Sequence, residues 1–114
     1  MQYISLLIIT FFLFFENLLV SDENIQKGRN IAENICSVCH GVNGQANTGG
    51  NSVLVPNLTA QNEYYLIEKL KDYKSKKLEH HQMSLIADML SLEDIKNVSK
   101  WYSNIKINIE AIKD

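Results

Sequence analysis

The chain has 114 residues, room for one small domain. Eleven basic side chains stand against 13 acidic ones. That mild balance, without a basic stripe carrying interleaved aromatics, excludes a nucleic-acid binder.

The first twenty residues are unlike the rest. Ile4 to Phe15 is apolar apart from Ser5 and Thr10. A helix of that length rises about 18 Å, short of the roughly 30 Å of a hydrocarbon core. The segment is expected to be a secretory signal peptide, residues 1–21, cleaved near Ser21. No Lys or Arg precedes it and no A-x-A site follows it. Counted through to Val20 with Glu16 snorkelling, the stretch approaches a spanning length, so an uncleaved N-terminal anchor is the alternative. The remaining domain, residues 22–114, buries only about 60–65% of its unfolded surface and needs a staple.

From Asp22 to about Cys39, Ile25, Gly28, Ala32 and Ile35 share one helical face, with Ser21 or Asp22 as cap. From Gly41 to Gln61 the pattern dissolves into four glycines, several asparagines and the single proline, Pro56. A loop that long in a compact domain is expected to wrap something. Glu63 to Lys77 is helical again, with Leu66, Ile67, Leu70 and Tyr73 inward and Glu68, Lys69, Lys71, Asp72 and Lys74 toward water. The polar stretch Lys76 to Gln82 leads to one or two helical turns at Met83 to Ala87. Ser91-Leu92-Glu93-Asp94 reads as a capping box opening a last helix that buries Ile95, Val98, Trp101, Tyr102 and Ile105. No strand alternation and no repeat is present.

The chemistry is concentrated in Cys36-Ser37-Val38-Cys39-His40. Thiols at i and i+3 lie on one helix face about 5–6 Å apart, and the next residue turns inward. That suits thioether bonds to the two vinyl groups of a porphyrin edge, with His40 under the iron. A zinc site lacks further cysteines and has only His80 and His81 to add. A thioredoxin-type pair lacks its βαβ setting. A plain disulfide leaves His40 and the glycine-rich loop unexplained. One covalently bound haem c is the expected cofactor, and the long loop its wrapping. For the iron's sixth position the candidates are Met83, Met89, His80 and His81. Met83, between a polar segment and a short helix, suits delivery by a loop. Met89, beside Leu85, Ile86 and Leu90, suits packing.

From Gly28 to Ile105 the chain resembles a class I cytochrome c, close to the small periplasmic single-haem carriers. The matching pieces are Gly28, Cys36-x-x-Cys39-His40-Gly41, Pro56-x-Leu58-x-x-Gln61, Tyr65-Leu66-x-x-Lys69-Leu70-x-x-Tyr73, Met83-x-x-x-Ala87-x-x-Leu90-Ser91-x-x-Asp94 and Trp101-Tyr102. The resemblance implies an all-α fold, three main helices plus a long loop around the haem. It implies thioethers at Cys36 and Cys39 and axial ligands His40 and Met83. A backbone acceptor at Pro56 would hold the proximal imidazole. Gly28 would allow a close crossing of the first and last helices, with Trp101 or Tyr102 packed above it. Two departures stand out: Lys69 occupies a position where such proteins often carry glutamine, and the usual glycine and arginine after the middle helix are replaced around Lys76 to Leu78.

The expected function is single-electron transfer in the periplasm between respiratory or dehydrogenase partner proteins, by a monomer that is a carrier rather than an enzyme. Membrane contact is expected only if the N-terminal segment is retained. The rival is a haem-based catalyst or gas sensor with a labile sixth ligand. The lysines from Lys69 to Lys77 form either a docking patch or an ordinary solvated face. The sequons at Asn57 and Asn97 are read as chance.

Overall fold

The computed structural model describes residues 23–46 and 55–108, which form four helices and their connections with no strand among them. The expected signal peptide or anchor lies outside the described residues. Among those described, no helix is long and apolar enough to cross a membrane.

Helix α1 spans residues 23–40 and is not uniform. Its middle, Ala32–Cys36, is a π-helical turn, and Ser37–His40 returns to α geometry. Gly28, Ala32, Cys36 and His40 form an i, i+4 series of inward-facing positions. Each such step drifts about 40° around a regular helix. The wider turn takes back part of that drift, so the residues packed against the last helix and those at the site stay in one line. Gly41, at φ +74, ends the helix.

Helix α2 is Glu63–Lys74, capped by the Asn62 side chain on the Tyr65 N–H at 2.9 Å. It stops before the expected Lys77 because Lys76 takes a left-handed conformation, φ +62. Helix α3 is His81–Met89, longer than the one or two turns read from sequence. Helix α4 is Leu92–Ser103 and opens with the expected capping box: Asp94 N–H donates to Ser91 Oγ at 3.0 Å, and Ser91 N–H to the Asp94 carboxylate at 2.9 Å.

The core lies where α1 and α2 meet α4: Ala32, Leu66, Val98 and Tyr102 are buried together, with Ile31, Leu58, Leu70, Trp101 and Ile105 against them. Gly28 sits at the crossing of α1 and α4. A β-carbon there would lie 2.0 Å from the Asn97 carbonyl oxygen and 3.0 Å from Trp101 Cβ, so only glycine permits the approach.

Two bonds from α4 tie down the loop after α1. Trp101 Nε1–H donates to the Val42 carbonyl at 2.7 Å, and the Tyr102 hydroxyl to Gly41 at 2.9 Å. Beyond the undescribed part of the loop, Ala60 N–H returns to the Tyr102 carbonyl at 2.9 Å. Both arms of the loop are therefore fastened to one helix end.

Candidate haem site

Cys36, Cys39, His40, Pro56 and Met83, the five residues singled out from sequence, line one cavity. α1 supplies the first three. The thiols are free, Cys36 half-buried and Cys39 exposed. Burial pushes the Cys36 thiol up to about 11, weakly opposed by the Tyr102 hydroxyl beside it. Burial and that same sulfur also raise Tyr102 well above the usual phenol. As a small and largely apolar group, Cys36 suits the wall of a porphyrin pocket.

His40 is buried, and its Nδ1 lies 2.8 Å from the Pro56 carbonyl oxygen, sixteen residues along the chain. A carbonyl only accepts, so Nδ1 carries a proton, and in the neutral ring Nε2 is the nitrogen with the lone pair. The ring is thereby fixed in tautomer and orientation before any metal is considered. Gly41 makes this turn possible: it has positive φ, and a β-carbon would meet the Gln45 carbonyl oxygen at 2.3 Å.

The opposite wall comes from α2 and α3. Leu66, Leu70, Ile86 and Leu90 make it apolar, and Met83 brings its thioether. Met83, Ile86 and Leu90 follow 3–4 spacing and form the inner face of α3. Met89 does not pack in the core as expected from sequence. It is 67% exposed, and its sequence neighbour Leu85 is 58% exposed. Six residues beyond Met83, Met89 lies about 240° around the helix, on its outer side.

Of the two histidines, His81 is outside the cavity lining and exposed. His80 lines the cavity, but its Nδ1 accepts the Met83 N–H at 3.2 Å as the cap of α3. Its ring also stands edge-on to Tyr73, centroids 5.9 Å apart. Histidine is an uncommon helix cap, and nothing in the local sequence marked it.

The residues present fit a haem c. Two free thiols stand at one edge, an oriented imidazole and a thioether share the cavity, and the walls are apolar. Ser99 Oγ adds a further sign: it is buried, belongs to a residue lining the cavity and has no hydrogen-bond partner among the described residues, as expected where the space belongs to another group. Lys69, expected toward water, is half-buried and also lines the cavity, its ammonium 5.6 Å from the Tyr65 ring centroid.

The cytochrome c family model matches residues 25–106. The chain is a class I cytochrome c. Cytochrome c-554(548) from Halomonas halodenitrificans is 35% identical over 72 residues, covering 60% of this chain and 82% of the relative. The family carries covalently bound haem c and transfers electrons. In this cytochrome c the matched span runs from α1 to just beyond α4, and so takes in both walls of the cavity.

The lysine run after Tyr65 is largely spoken for within the cytochrome. Lys71 pairs with Glu68 at 3.1 Å, Lys77 with Asp72 at 3.2 Å and Lys76 with Asp88. Lys74 donates to the Ala87 and Asp88 carbonyls at 3.3 and 3.2 Å. That arrangement favours a self-paired surface over a docking patch.

Proposed function

We propose that the chain is a periplasmic carrier of single electrons, holding one haem c through thioethers at Cys36 and Cys39, with His40 and Met83 as the axial ligands of its iron. One observation carries this reading: His40, oriented by Pro56, and Met83, at the head of α3, share one apolar cavity, while Met89 and His81 lie outside its lining. His80 has one ring nitrogen committed to the helix cap.

When bound, the haem supplies a one-electron iron couple. The chain's own residues set how that couple behaves. The Pro56 carbonyl makes His40 a stronger, fixed donor. The Met83 thioether, as a ligand to the iron, would favour the reduced state and raise the potential. Were His40 and Met83 both to hold the iron, no position would be left for a substrate, which would separate a carrier from a catalyst or gas sensor. Leu66, Leu70, Ile86 and Leu90 give the cavity an apolar lining, which would limit the polar reorganisation around the haem as its charge changes.

Covalent attachment is tested by acid–acetone extraction of protein made with a functioning maturation system; the haem is expected to stay with the chain. The axial pair is tested by the weak red sulfur-to-iron charge-transfer band of the ferric protein. It is expected in the wild type, absent in Met83→Leu and retained in Met89→Leu and His81→Ala. A band retained in Met83→Leu, or missing from the wild type, overturns the assignment.

The apolar stretch from Ile4 to Phe15 supports export. N-terminal sequencing of the native protein is expected to begin near Ser21 to Glu23. A start at Met1 in the membrane fraction points instead to a retained anchor.

A further inference from the structure

Helix α3 carries no basic residue in its own last turn. Its C-terminal end is nevertheless met by two ammonium groups from outside. Lys74, at the end of α2, donates to the Ala87 and Asp88 carbonyls at 3.3 and 3.2 Å. Lys76, in the turn that follows, pairs with the Asp88 carboxylate and reaches the Ser84 carbonyl at 3.4 Å. The Ala87 and Asp88 carbonyls belong to the last turn of the helix, where orphan acceptors and the negative end of the dipole gather, and Ser84 lies one turn before them.

The backbone at Lys76 makes the arrangement more telling. Lys76 sits at φ +62, and its N–H returns to the Tyr73 carbonyl at 3.2 Å, closing α2 in the left-handed manner usual for glycine. A β-carbon is disfavoured there. Glycine would serve the turn better, but it would remove the side chain that crosses to α3. The residue present is the one that suits the crossing rather than the turn.

We propose that Lys74 and Lys76 are positioning residues that clamp the C-terminal end of α3 to the exit of α2, and so set how readily an external ligand displaces Met83. This rests on the reading of Met83 as axial ligand. Met83 is in the first turn of a nine-residue helix, so freedom at the far end of α3 is freedom of the thioether. Each pair alone is exposed and weak. Acting together at a helix terminus, the two ammonium groups hold four acceptor groups.

The test is imidazole titration of the intact ferric haem protein at low ionic strength, followed by absorption. The double variant Lys74→Met, Lys76→Met is expected to bind imidazole about tenfold more tightly, and Asp88→Asn about threefold. Lys76→Arg is expected to stay within about twofold of wild type, because it keeps the charge and reach. At about 1 M salt, where screening acts within about 3 Å, the wild type and Asp88→Asn are expected to converge. Lys76→Gly separates the clamp from plain stability: it relieves the turn, so its unfolding midpoint should match or exceed that of Lys76→Met, yet imidazole should bind as tightly as to Lys76→Met.

Wild-type imidazole affinity in both the double variant and Asp88→Asn, with the red band present, overturns the clamp alone. A wild type without the red band overturns the reading of Met83 and the clamp with it.

Discussion

The imidazole of His80 caps α3 by accepting the Met83 N–H at 3.2 Å. A residue that the sequence offered as a rival to Met83 thus holds Met83 in place. Replacing it should separate the two roles. Asparagine is a good helix cap and keeps an acceptor, whereas alanine removes it. His80→Asn is expected to keep wild-type stability within a few tenths of a kcal/mol and to keep the red band. His80→Ala should lose about 1 kcal/mol and weaken the band. Thermal unfolding and the ferric spectrum, recorded on the same samples, check both. A band absent from the wild type that appears in both variants would mean that the ring itself is bound to iron.

On the other wall, the His40 to Pro56 contact predicts a protected proton. The Nδ1–H is buried and bonded at 2.8 Å to a backbone carbonyl. Proton NMR of the reduced protein is expected to show this resonance exchanging with solvent far more slowly than a free imidazole N–H. Pro56→Ala keeps the carbonyl, so the bond should survive. The cost should be about 0.4–1 kcal/mol, mainly from greater freedom of the unfolded chain.

The crossing of α1 and α4 predicts a severe effect from a small change. Gly28→Ala brings a β-carbon to within 2.0 Å of the Asn97 carbonyl oxygen, and backbone cannot move aside as a side-chain tip can. The helices must part, loosening Ala32 and Val98 behind them. A loss of about 3 kcal/mol is expected in denaturant unfolding.

Tyr102 joins the core to the loop that follows the haem motif. Its ring is buried beside Ala32, Leu66 and Val98, and its hydroxyl donates to Gly41 at 2.9 Å. Tyr102→Phe keeps the packing and removes the bond. Because Gly41 also accepts from Gly44 N–H at 3.2 Å, its carbonyl is not left wholly unpaired. The expected loss is about 1 kcal/mol, or about 4–8 °C in unfolding midpoint.

How much of this was legible in sequence depends on the range of the interaction. The capping box at Ser91 and Asp94 and the inner face of α4 are local patterns of spacing, and both are formed. Gly28 and Pro56 act across the fold. They were reached through resemblance to the family, since no local signal says what a glycine or a carbonyl will meet. The π-turn at Ala32–Cys36 left no compositional mark, because a one-residue shift in phase is invisible in a short apolar pattern. Met89 departs from its expected packing because Leu85 and Leu90, its apolar neighbours in sequence, do not share one side of the helix. Leu85 shares the outer side of α3 with Met89, and Leu90 turns inward. Lys74 and Lys76 were grouped with other lysines by charge alone. Their acceptors lie on α3, 8 to 14 residues further on.

That regrouping of the lysines leads to a prediction about partner recognition. A docking patch works through net local charge, which steers an acidic partner and raises association rates by about 10- to 1000-fold at low salt. Here Lys71, Lys76 and Lys77 each lie against a carboxylate of the same chain, and Lys74 is turned onto the end of α3. Glu68, Asp72 and Asp88 cancel most of the field that the lysines would project beyond about 10 Å, the screening length at 0.1 M salt. Electron-transfer rates with a soluble acidic redox protein are therefore expected to change less than about threefold between about 0.01 and 0.5 M salt. Stopped-flow absorption of the haem bands measures this directly. A steep fall with salt would show that the pairs open on docking and that the lysines face the partner after all. Glu68→Gln, which removes one internal partner, should then steepen the dependence further.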